Sequence, residues 1–372
     1  MPNSLDREVV FQSYEDILKA ARRRLPKSIF TEIASGRDRG VTLKANVEAF
    51  DKVFLVPRAA VATVDREKAT TVLGREIAMP VIIDPVGALR LLHPDGAIAA
   101  ARAAHDAGTI CAVSMVAGHS IQELRAATTG PLWQQLYLFN GREYAEEVIS
   151  QAKSCGYDAL VVTVDYPVAS KSPSALGINL RSALQYAPEL IVRPRWTWGF
   201  VRDGMRVGLA NAPNPRSSDI VTAQWDDFAW IREKWGGPVI VKGIITPEDA
   251  RRAVDAGASA IVVSNHGGIV LDGTPATLSS LPAIKRAVGD SVEVLLDGGV
   301  RQGSDVVKAL ALGAKAVLIG RPYVLALGAA GQQGVRAVLE YFSTQLDRCL
   351  GMVGCQNVAD LDDTYVTSPW SA

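Results

Sequence analysis

The sequence has no excess of charge of either sign. Its 39 lysine and arginine residues are balanced by 39 aspartate and glutamate residues, which gives a formal net charge of zero. Since nucleic acids and anionic membranes attract proteins through positive charge, neither is an expected partner. Long apolar runs are lacking as well, and none approaches the roughly 18 residues of a membrane span. The charged N-terminus has no apolar signal-peptide core, so the sequence predicts a cytoplasmic protein.

Cysteine is scarce, with only four residues in a chain of 372. They form no CxxC pair and have no histidine at the spacing of zinc ligands, so neither disulfides nor a bound metal is expected. The four are Cys111, Cys155, Cys349 and Cys355. With 48% hydrophobic and 21% charged residues, the chain has the composition of a folded protein, and we predict a single domain over residues 1–372.

Short apolar runs rich in β-branched residues recur from Met79 onward, and a longer stretch with helical periodicity follows most of them. Runs without polar alternation are typical of strands buried on both faces. About eight such runs occur, the number that closes a parallel barrel. They are PVIIDPVG, TICAVSM, LWQQLYL, ALVVTVDYP, PVIVKGI, AIVVSNHGG, VEVLLDGGV and AVLIGR. Because the GxGxxG that often follows the first strand of a doubly wound sheet is absent, we predict an α/β fold, a (β/α)8 TIM barrel. Residues 1–78 are predicted to form an N-terminal helical extension.

One interval is too long for an ordinary connection. Roughly 70 residues separate VVTVDYP, the fourth run, from PVIVKGI. Residues 171–224 are therefore predicted to be an insertion after strand 4, and they are rich in proline, arginine and tryptophan. Because barrel active sites lie at the carboxyl ends of strands, a lid or substrate loop is one interpretation. A surface excursion that packs its tryptophans on the barrel is the other.

Two glycine-rich loops follow the seventh and eighth runs. They read DGGVRQGSDVVKAL and IGRPYV, and they contain Arg301 and Arg321. Glycines let backbone N–H groups approach an anion, and arginines add charge-assisted hydrogen bonds. Because the corresponding loops of TIM barrels often bind a phosphate, we predict a phosphate site here. Tight turns with surface arginines are the alternative interpretation.

Polar side chains also stand at the ends of several other strands. Each alone could be a structural hydrogen-bonding group or half of an ion pair. Together they favour a convergent site at the mouth of the barrel. These residues are Gln135, Tyr137, Thr163, Asp165, Lys242, Ser264 and His266.

Several longer motifs resemble a known family. They are SNHGG, LDGTPATL, LLDGGVRQGSDVVKALALGAKAVLIGRP, VKGIITPEDARRAVDAGA, QQLYL and TVDYP. Together they resemble the FMN-dependent α-hydroxy-acid oxidases and dehydrogenases. The similarity runs from RLPKSIFTEIASG to GMVGCQNVADL and so covers nearly the whole chain. It implies FMN as the cofactor and an oxidase or dehydrogenase activity.

The resemblance also implies a role for individual residues. The flavin ring would contact Val86, Gly87, Ser114, Gln135, Thr163, Lys242 and Ser264. Its ribityl chain and phosphate would be held by Asp297, Gly299, Arg301, Gly320 and Arg321. The catalytic residues would be the proton acceptor His266, its orienting carboxylate Asp165, the active-site tyrosine Tyr137, and Lys242 beside the N1 edge of the flavin.

Elementary chemistry supports these catalytic roles. Oxidation of a carbon that bears OH or NH2 sends a hydride equivalent to flavin N5 while a proton leaves, so a base that titrates near neutrality is needed. Histidine suits that task. A buried carboxylate such as Asp165 would fix its tautomer and stabilise the imidazolium, and Lys242 would offset the charge gained by the reduced flavin.

Three positions depart from the family pattern. Hydroxy-acid oxidases bind the substrate carboxylate with two arginines, and Ile269 and Ser172 stand at those positions here. A substrate-binding tyrosine is replaced by Glu32. Because a bidentate arginine–carboxylate contact contributes a few kcal/mol, the two losses predict a substrate without a free carboxylate. Alternatively, Lys171 or an arginine of the insertion replaces the missing pair.

Further motifs resemble the branch of the family that contains the mycofactocin-maturation flavoenzyme. They are RLPKSIF, NVEAF, HPDGAIAAARAA, RPRWTW and SNHGGIVLDGTPAT. The resemblance implies a peptide-derived or natural-product substrate, oxidised at a carbon that bears nitrogen or oxygen. A conventional (S)-2-hydroxy-acid oxidase, such as lactate or glycolate oxidase, and a phosphate-binding barrel of another class remain alternatives. The electron acceptor is expected to be O2, a quinone or another redox carrier, and the chain is expected to form a homo-oligomer, a tetramer.

Overall fold

The N-terminal part of the chain is only partly helical. The computed structural model describes residues 9–139, 141–167, 188–205 and 220–370. The first helices are α1 (Tyr14–Arg24), α2 (Lys27–Ala34) and α3 (Val41–Asp51). Beyond them, the predicted helical extension consists of short strands: β1 (Phe54–Leu55), β2 (Thr70–Val72) and β3 (Arg75–Ile77). Strands of two or three residues are too short to show a period in the sequence.

Eight parallel strands form a closed barrel, as the apolar runs predicted. The strands are β4 (Val81–Ile83), β5 (Cys111–Val113), β6 (Leu132–Leu136), β8 (Ala159–Thr163), β10 (Val239–Ile244), β11 (Ala260–Val263), β12 (Glu293–Leu296) and β13 (Ala316–Ile319). Neighbours around the barrel follow chain order, and the ring closes where Val317 of β13 pairs with Val81 of β4. The predicted (β/α)8 architecture is therefore confirmed.

Helices surround the barrel. They are α4 (Gly96–Asp106), α5 (Ile121–Ala127), α6 (Arg142–Ser154), α7 (Pro194–Arg202), α8 (Asp227–Trp235), α9 (Pro247–Asp255), α10 (Thr277–Val288), α11 (Gly303–Ala311) and α12 (Arg321–Val353). Helix α9 has a capped N-terminus, because the Thr246 side chain accepts a hydrogen bond of 3.1 Å from the Asp249 N–H. No helix in the described part of the chain is long and apolar enough to cross a membrane.

Both faces of the barrel strands are apolar. Successive side chains on a strand point to opposite faces, so Ile82 points into the barrel while Val81 and Ile83 point toward the helices. The β2–β3 hairpin closes the N-terminal end of the barrel, because Val72 and Ile77 join the interior cluster. Every barrel strand contributes to this interior cluster, and the contributing residues nearest the carboxyl ends of the strands are Ile82, Ala112, Trp133, Val161, Ile240, Val262, Leu295 and Leu318.

The predicted insertion is described only in part. Residues 168–187, which include Lys171 and Ser172, and residues 206–219 lie outside the described ranges. In helix α7, Trp196 is buried, stacks on Phe200 at 4.9 Å between ring centroids, and donates a hydrogen bond of 2.9 Å to the Leu91 carbonyl. This part of the insertion therefore packs on the body of the protein, as the surface-excursion interpretation expects. Strand β9 (Ile220–Val221) pairs with β7 (Leu138–Phe139).

Two asparagines join helix α3 to the loop after β11. Each amide donates a hydrogen bond to the other, at 2.8 Å from Asn46 to Asn265 and 2.9 Å in return. Asn46 Oδ1 also accepts a bond of 3.2 Å from the Thr277 N–H. Both side chains are buried, so each amide depends on the other for its hydrogen bonds. The N-terminal extension is thereby attached to the mouth of the barrel.

We expect Asn46→Ala to lower the free energy of unfolding by about 3 kcal/mol, since it leaves buried donors and an acceptor without partners. Urea unfolding followed by circular dichroism would measure the loss. Lys44→Ala on the same helix is the matched control: its side chain is 75% exposed, so a change below about 0.5 kcal/mol is expected. Equal effects of the two substitutions would contradict the structural role given to the asparagine pair.

Candidate active site

One residue from the carboxyl end of each barrel strand belongs to a ring at that end of the barrel. Because strand side chains alternate in direction, the residue two positions beyond each interior residue also points inward. We call these eight positions the strand-end ring: Asp84, Ser114, Gln135, Thr163, Lys242, Ser264, Asp297 and Gly320. Apart from Gly320 and Asp84, all of them are buried polar residues. The fold thus gathers polar groups from distant parts of the sequence into one site.

Hydrogen bonds connect neighbouring members of the ring. Gln135 accepts a bond of 3.1 Å from Ser114 Oγ and donates one of 3.1 Å to Thr163 Oγ1. On the other side of the ring, Lys242 Nζ donates a bond of 3.0 Å to Ser264 Oγ. Hydrogen bonds therefore join Ser114 to the polar ends of β6 and β8, and join the polar ends of β10 and β11 to each other.

Lys242 is a buried cation among carboxylates. Its Nζ forms an ion pair with Asp297 and lies 3.6 Å from Asp84 Oδ1. Burial alone would lower the pKa of Lys242, but the charges of Asp297, Asp84 and Asp165 outweigh it and raise the pKa, so the side chain stays protonated. For Asp84, burial is the largest effect and raises the pKa of its carboxyl to about 7, although Lys242 opposes the shift.

His266 and Asp165 form a hydrogen-bonded pair. His266 Nδ1 lies 3.0 Å from Asp165 Oδ1, and both side chains are mostly buried. Burial would raise the pKa of Asp165, but the charge of His266 and its hydrogen bond lower the pKa overall and keep the carboxylate ionised. An ionised carboxylate can only accept, so Nδ1 carries the proton and Nε2 is the basic atom. The backbone of His266 has a φ of 56°, a left-handed conformation that is costly for a residue with a Cβ.

Two tyrosines lie beside this pair. The ring of Tyr166 is 6.0 Å from the Tyr137 ring and 6.0 Å from the His266 ring, measured between centroids. Burial, and then the charge of Asp165, raise the pKa of Tyr137, so its phenol remains protonated and can donate a hydrogen bond. Three aromatic rings therefore form one side of the site.

The two arginines predicted to bind a phosphate lie near each other. Burial, followed by repulsion from Arg301, lowers the pKa of Arg321 to about 10. Arg321 donates hydrogen bonds to the carbonyls of Ile33, Gly267 and Ser35, at 2.9, 2.7 and 2.7 Å. Arg301 bonds to its neighbour's carbonyl and stacks on the ring of Tyr14. Neither has an ion pair within the described ranges, so an anion would be a favourable partner for both.

At each glycine near the site, a side chain would clash with or crowd a different neighbour. A Cβ on Gly299 would clash with the carbonyl oxygen of Asn46, so the close approach there is to helix α3. A Cβ on Gly87 would lie 2.8 Å from a methyl group of Val116. Gly320, by contrast, is next to Asp84: a Cβ there would lie 3.3 Å from Asp84 Oδ2. Val86 is partly exposed beside Gly87.

Two of the substrate-site candidates lie on neighbouring segments of the chain. Ile269 follows the His266 turn and is 42% exposed, and Glu32 is exposed near the end of helix α2. The segments approach each other because the Arg37 N–H donates a hydrogen bond of 2.8 Å to the Gly268 carbonyl. Arg37 Nε also donates a bond of 3.1 Å to the Ile269 carbonyl. The residue three positions after His266 is thus apolar and partly exposed, and its turn is hydrogen-bonded to the segment after helix α2.

The sequence analysis did not assign Asp84 or Tyr166. Both stand inside motifs that it quoted, PVIIDPVG and TVDYP. Strand alternation could have predicted that Asp84 belongs to the site. Asp84 lies two residues beyond the interior residue Ile82, just as Ser264 lies two residues beyond Val262. For Tyr166, adjacency to Asp165 in the chain was the only signal.

Comparison with known proteins assigns the family. A family model described as FMN-dependent dehydrogenase matches residues 21–368. The chain belongs to this family. It is therefore an FMN-dependent oxidoreductase of the hydroxy-acid oxidase type, with FMN as its cofactor.

Individual relatives cover almost the whole chain. Pre-mycofactocin synthase from Mycobacterium tuberculosis strain H37Rv is 41% identical over 97% of this chain and 96% of its own. 4-Hydroxymandelate oxidase from Amycolatopsis orientalis is 39% identical over 94% of this chain and 96% of its own. Among solved structures, an arginine-to-leucine variant of mandelate oxidase with 2-hydroxy-phenylacetamide has a TM-score of 0.83 at 37% identity, covering 98% and 100% of the two chains.

The raised pKa of Asp84 gives a testable dependence of stability on pH. A carboxyl whose pKa is about 7 when folded and near 4 when unfolded makes the native state less stable as the pH rises between those values. Asp84→Asn should therefore be as stable as the wild type near pH 4 and more stable by about 2–4 kcal/mol above pH 7. Urea unfolding at a fixed free FMN concentration would measure the difference, and a difference that does not grow with pH would contradict this assignment.

Proposed function

We propose that this enzyme oxidises a carbon bearing an amino or hydroxyl group on a peptide-derived or other natural-product substrate that has no free carboxylate. The observation that carries the proposal is Ile269. An apolar side chain stands three residues after His266, where hydroxy-acid oxidases hold an arginine, while the His266–Asp165 pair is intact at 3.0 Å. The site keeps its base and lacks a cation at the position that would bind a carboxylate.

The residues of the strand-end ring would hold FMN. Orphaned acceptors fit this role, because Asp297 Oδ1 is buried and has no hydrogen-bond partner among the described residues, so a ribityl hydroxyl could donate to it. Arg301 and Arg321, close together and without a carboxylate, fit a phosphate. The remaining contacts would come from Val86, Gly87, Ser114, Gln135, Thr163, Lys242, Ser264, Gly299 and Gly320. When bound, FMN supplies the acceptor for a hydride equivalent.

The protein's own side chains would handle the proton. His266 Nε2 takes it from the substrate OH or NH group, and Asp165, which accepts from Nδ1, stabilises the imidazolium that results. The protonated phenol of Tyr137 donates a hydrogen bond to the substrate oxygen or nitrogen. Lys242 remains charged and offsets the negative charge that reduction adds to the site.

Substrate recognition would rely on apolar packing and a peripheral acid. Ile269 offers a partly exposed apolar surface, and Glu32 lies on the neighbouring segment, where it could meet an N–H or ammonium group. One comparison supports an uncharged substrate, because a mandelate oxidase with one arginine changed to leucine was solved with an amide. The 41% identity to pre-mycofactocin synthase supports the natural-product part of the proposal. We further propose reoxidation by O2 or a redox carrier, and a homo-oligomeric, tetrameric assembly.

A conventional (S)-2-hydroxy-acid oxidase is the second candidate. Its supporting observation is Arg37, whose guanidinium bonds to the Ile269 carbonyl at 3.1 Å and so stands near the position of the missing arginine. The relative named 4-hydroxymandelate oxidase is also 39% identical. In this alternative Arg37, or Lys171 outside the described ranges, would bind the substrate carboxylate.

Replacing His266 with alanine should leave FMN bound but slow its reduction by substrate on the order of 10²-fold or more, because the base acts on the substrate proton. Anaerobic stopped-flow bleaching of the flavin measures this step. Asp165→Asn should also slow reduction by disturbing the histidine tautomer. His105→Ala, at an exposed histidine of helix α4, is the control. Reduction of the His266→Ala variant at the wild-type rate would exclude His266 as the base.

A matched pair of substrates tests the missing carboxylate site. Mandelate and its amide, 2-hydroxy-phenylacetamide, differ only in charge at one end, and we expect the wild type to reduce its flavin faster with the amide. Ile269→Arg should slow the amide reaction about tenfold or more, since the proposed packing of the uncharged substrate on this residue would have to desolvate a cation. Ile269→Leu, which keeps an apolar side chain, should change the rate little. A wild-type kcat/KM for mandelate on the order of 10⁴ M⁻¹s⁻¹ or better would favour the second candidate.

A further inference from the structure

Asp84 occupies the one position of the strand-end ring that has no role in the proposed function. The other seven members are the proposed flavin contacts of their strands. Asp84 lies beside the end of β13, since its N–H donates a hydrogen bond of 3.1 Å to the Ile319 carbonyl and its Oδ2 lies next to Gly320. Its side chain is only 15% exposed. A carboxyl group at such a position needs a physical explanation.

Lys242 is shared unequally between two carboxylates. Its ammonium is paired directly with Asp297, whereas its distance of 3.6 Å from Asp84 Oδ1 exceeds hydrogen-bond length. Asp84 Oδ1 has no hydrogen-bond partner among the residues described. One buried cation therefore faces two buried carboxyl groups, and only one of them can be neutralised by it. The carboxyl that is held less tightly is the one expected to carry a proton near neutral pH.

The surroundings of Asp84 support this assignment. The pKa of its carboxyl is raised to about 7, by burial first and also by the charge of Asp297. Lys242 and His266 act in the opposite direction. The charged or titratable groups that interact with Asp84 are Lys242 from β10, Asp297 after β12, His266 after β11, Tyr137 after β6 and Tyr323 of helix α12.

We propose that Asp84 is a positioning residue that acts through Lys242: when ionised it competes with Asp297 for the ammonium group and leaves the flavin site with one excess negative charge, and when protonated it leaves the Lys242–Asp297 pair neutral. This inference rests on the proposed seating of FMN at the strand-end ring. A flavin that gains negative charge would then be stabilised less well at high pH than at low pH. Because negative charge on the flavin would disfavour a second negative charge nearby, flavin reduction would be coupled to the binding of one proton by the Asp84 carboxylate.

Sulfite provides the test, because its adduct with flavin places negative charge on the ring without any substrate. FMN-loaded wild type and Asp84→Asn are titrated with sulfite from pH 5.5 to 8.5, and flavin bleaching gives the two dissociation constants. Since sulfite itself titrates, the readout is the ratio of the constants at each pH. We expect the variant to bind sulfite about tenfold more tightly at pH 8.5, the effect of removing one unit charge at close range, and the ratio to approach one at pH 5.5.

Two further variants make the result decisive. Asp290→Asn removes the same charge from a fully exposed side chain and should give a ratio of one throughout. If FMN binds at the strand-end ring, Lys242→Met should weaken sulfite binding. If Lys242→Met weakens sulfite binding but Asp84→Asn gives a ratio of one at every pH, the inference about Asp84 is wrong while the seating of FMN at the ring still holds. No effect of either would overturn the seating of FMN itself.

The inference can still be tested if one of these variants does not retain FMN. If Asp84→Asn fails to hold the cofactor, Asp84→Ser carries the same expectation. The flavin midpoint potential gives an independent measurement, and it should rise in the variant at pH 8.5 and match the wild type at pH 5.5. A shift that is the same at both pH values would indicate a structural perturbation and would contradict the inference.

Discussion

The geometry of the closed parallel barrel determines most of the site. Eight strands end at the same level, and because side chains alternate along each strand, every strand contributes one inward residue to the same small space. Below this level the inward residues are apolar and fill the interior. Above it six of the eight are polar and buried, so they must find partners in one another or in a bound molecule. The strand-end ring is the direct consequence.

Much of this could be predicted from the sequence, because the signals are local. Each barrel strand is an apolar run bounded by turn residues, so the amino-acid order alone is enough to locate all eight. The loops with Arg301 and Arg321 and the pair His266 and Asp165 carried recognisable motifs. What the sequence could not show were interactions between distant segments: the reciprocal amides of Asn46 and Asn265, or the competition of Asp84 and Asp297 for one ammonium group.

The N-terminal helices help to hold the residues of the candidate site in place. Arg321 bonds to carbonyls at the end of helix α2 and to Gly267, beside the base. Asn46 of helix α3 holds the residue that precedes His266. These contacts surround a histidine whose backbone is in the left-handed region, and such a conformation persists only where neighbours enforce it. Without those helices, the loop after β11 would lose these hydrogen bonds, and the left-handed backbone of His266 would be less strongly enforced.

The hairpin formed by β2 and β3 has a kinetic consequence. Val72 and Ile77 seal the N-terminal end of the barrel, and the packed interior leaves no passage through it. In the part of the chain that the structure describes, a molecule can therefore reach the strand-end ring only from the carboxyl ends of the strands. A substrate and its product would share that side of the barrel, so product that has not yet left would delay the entry of the next substrate molecule.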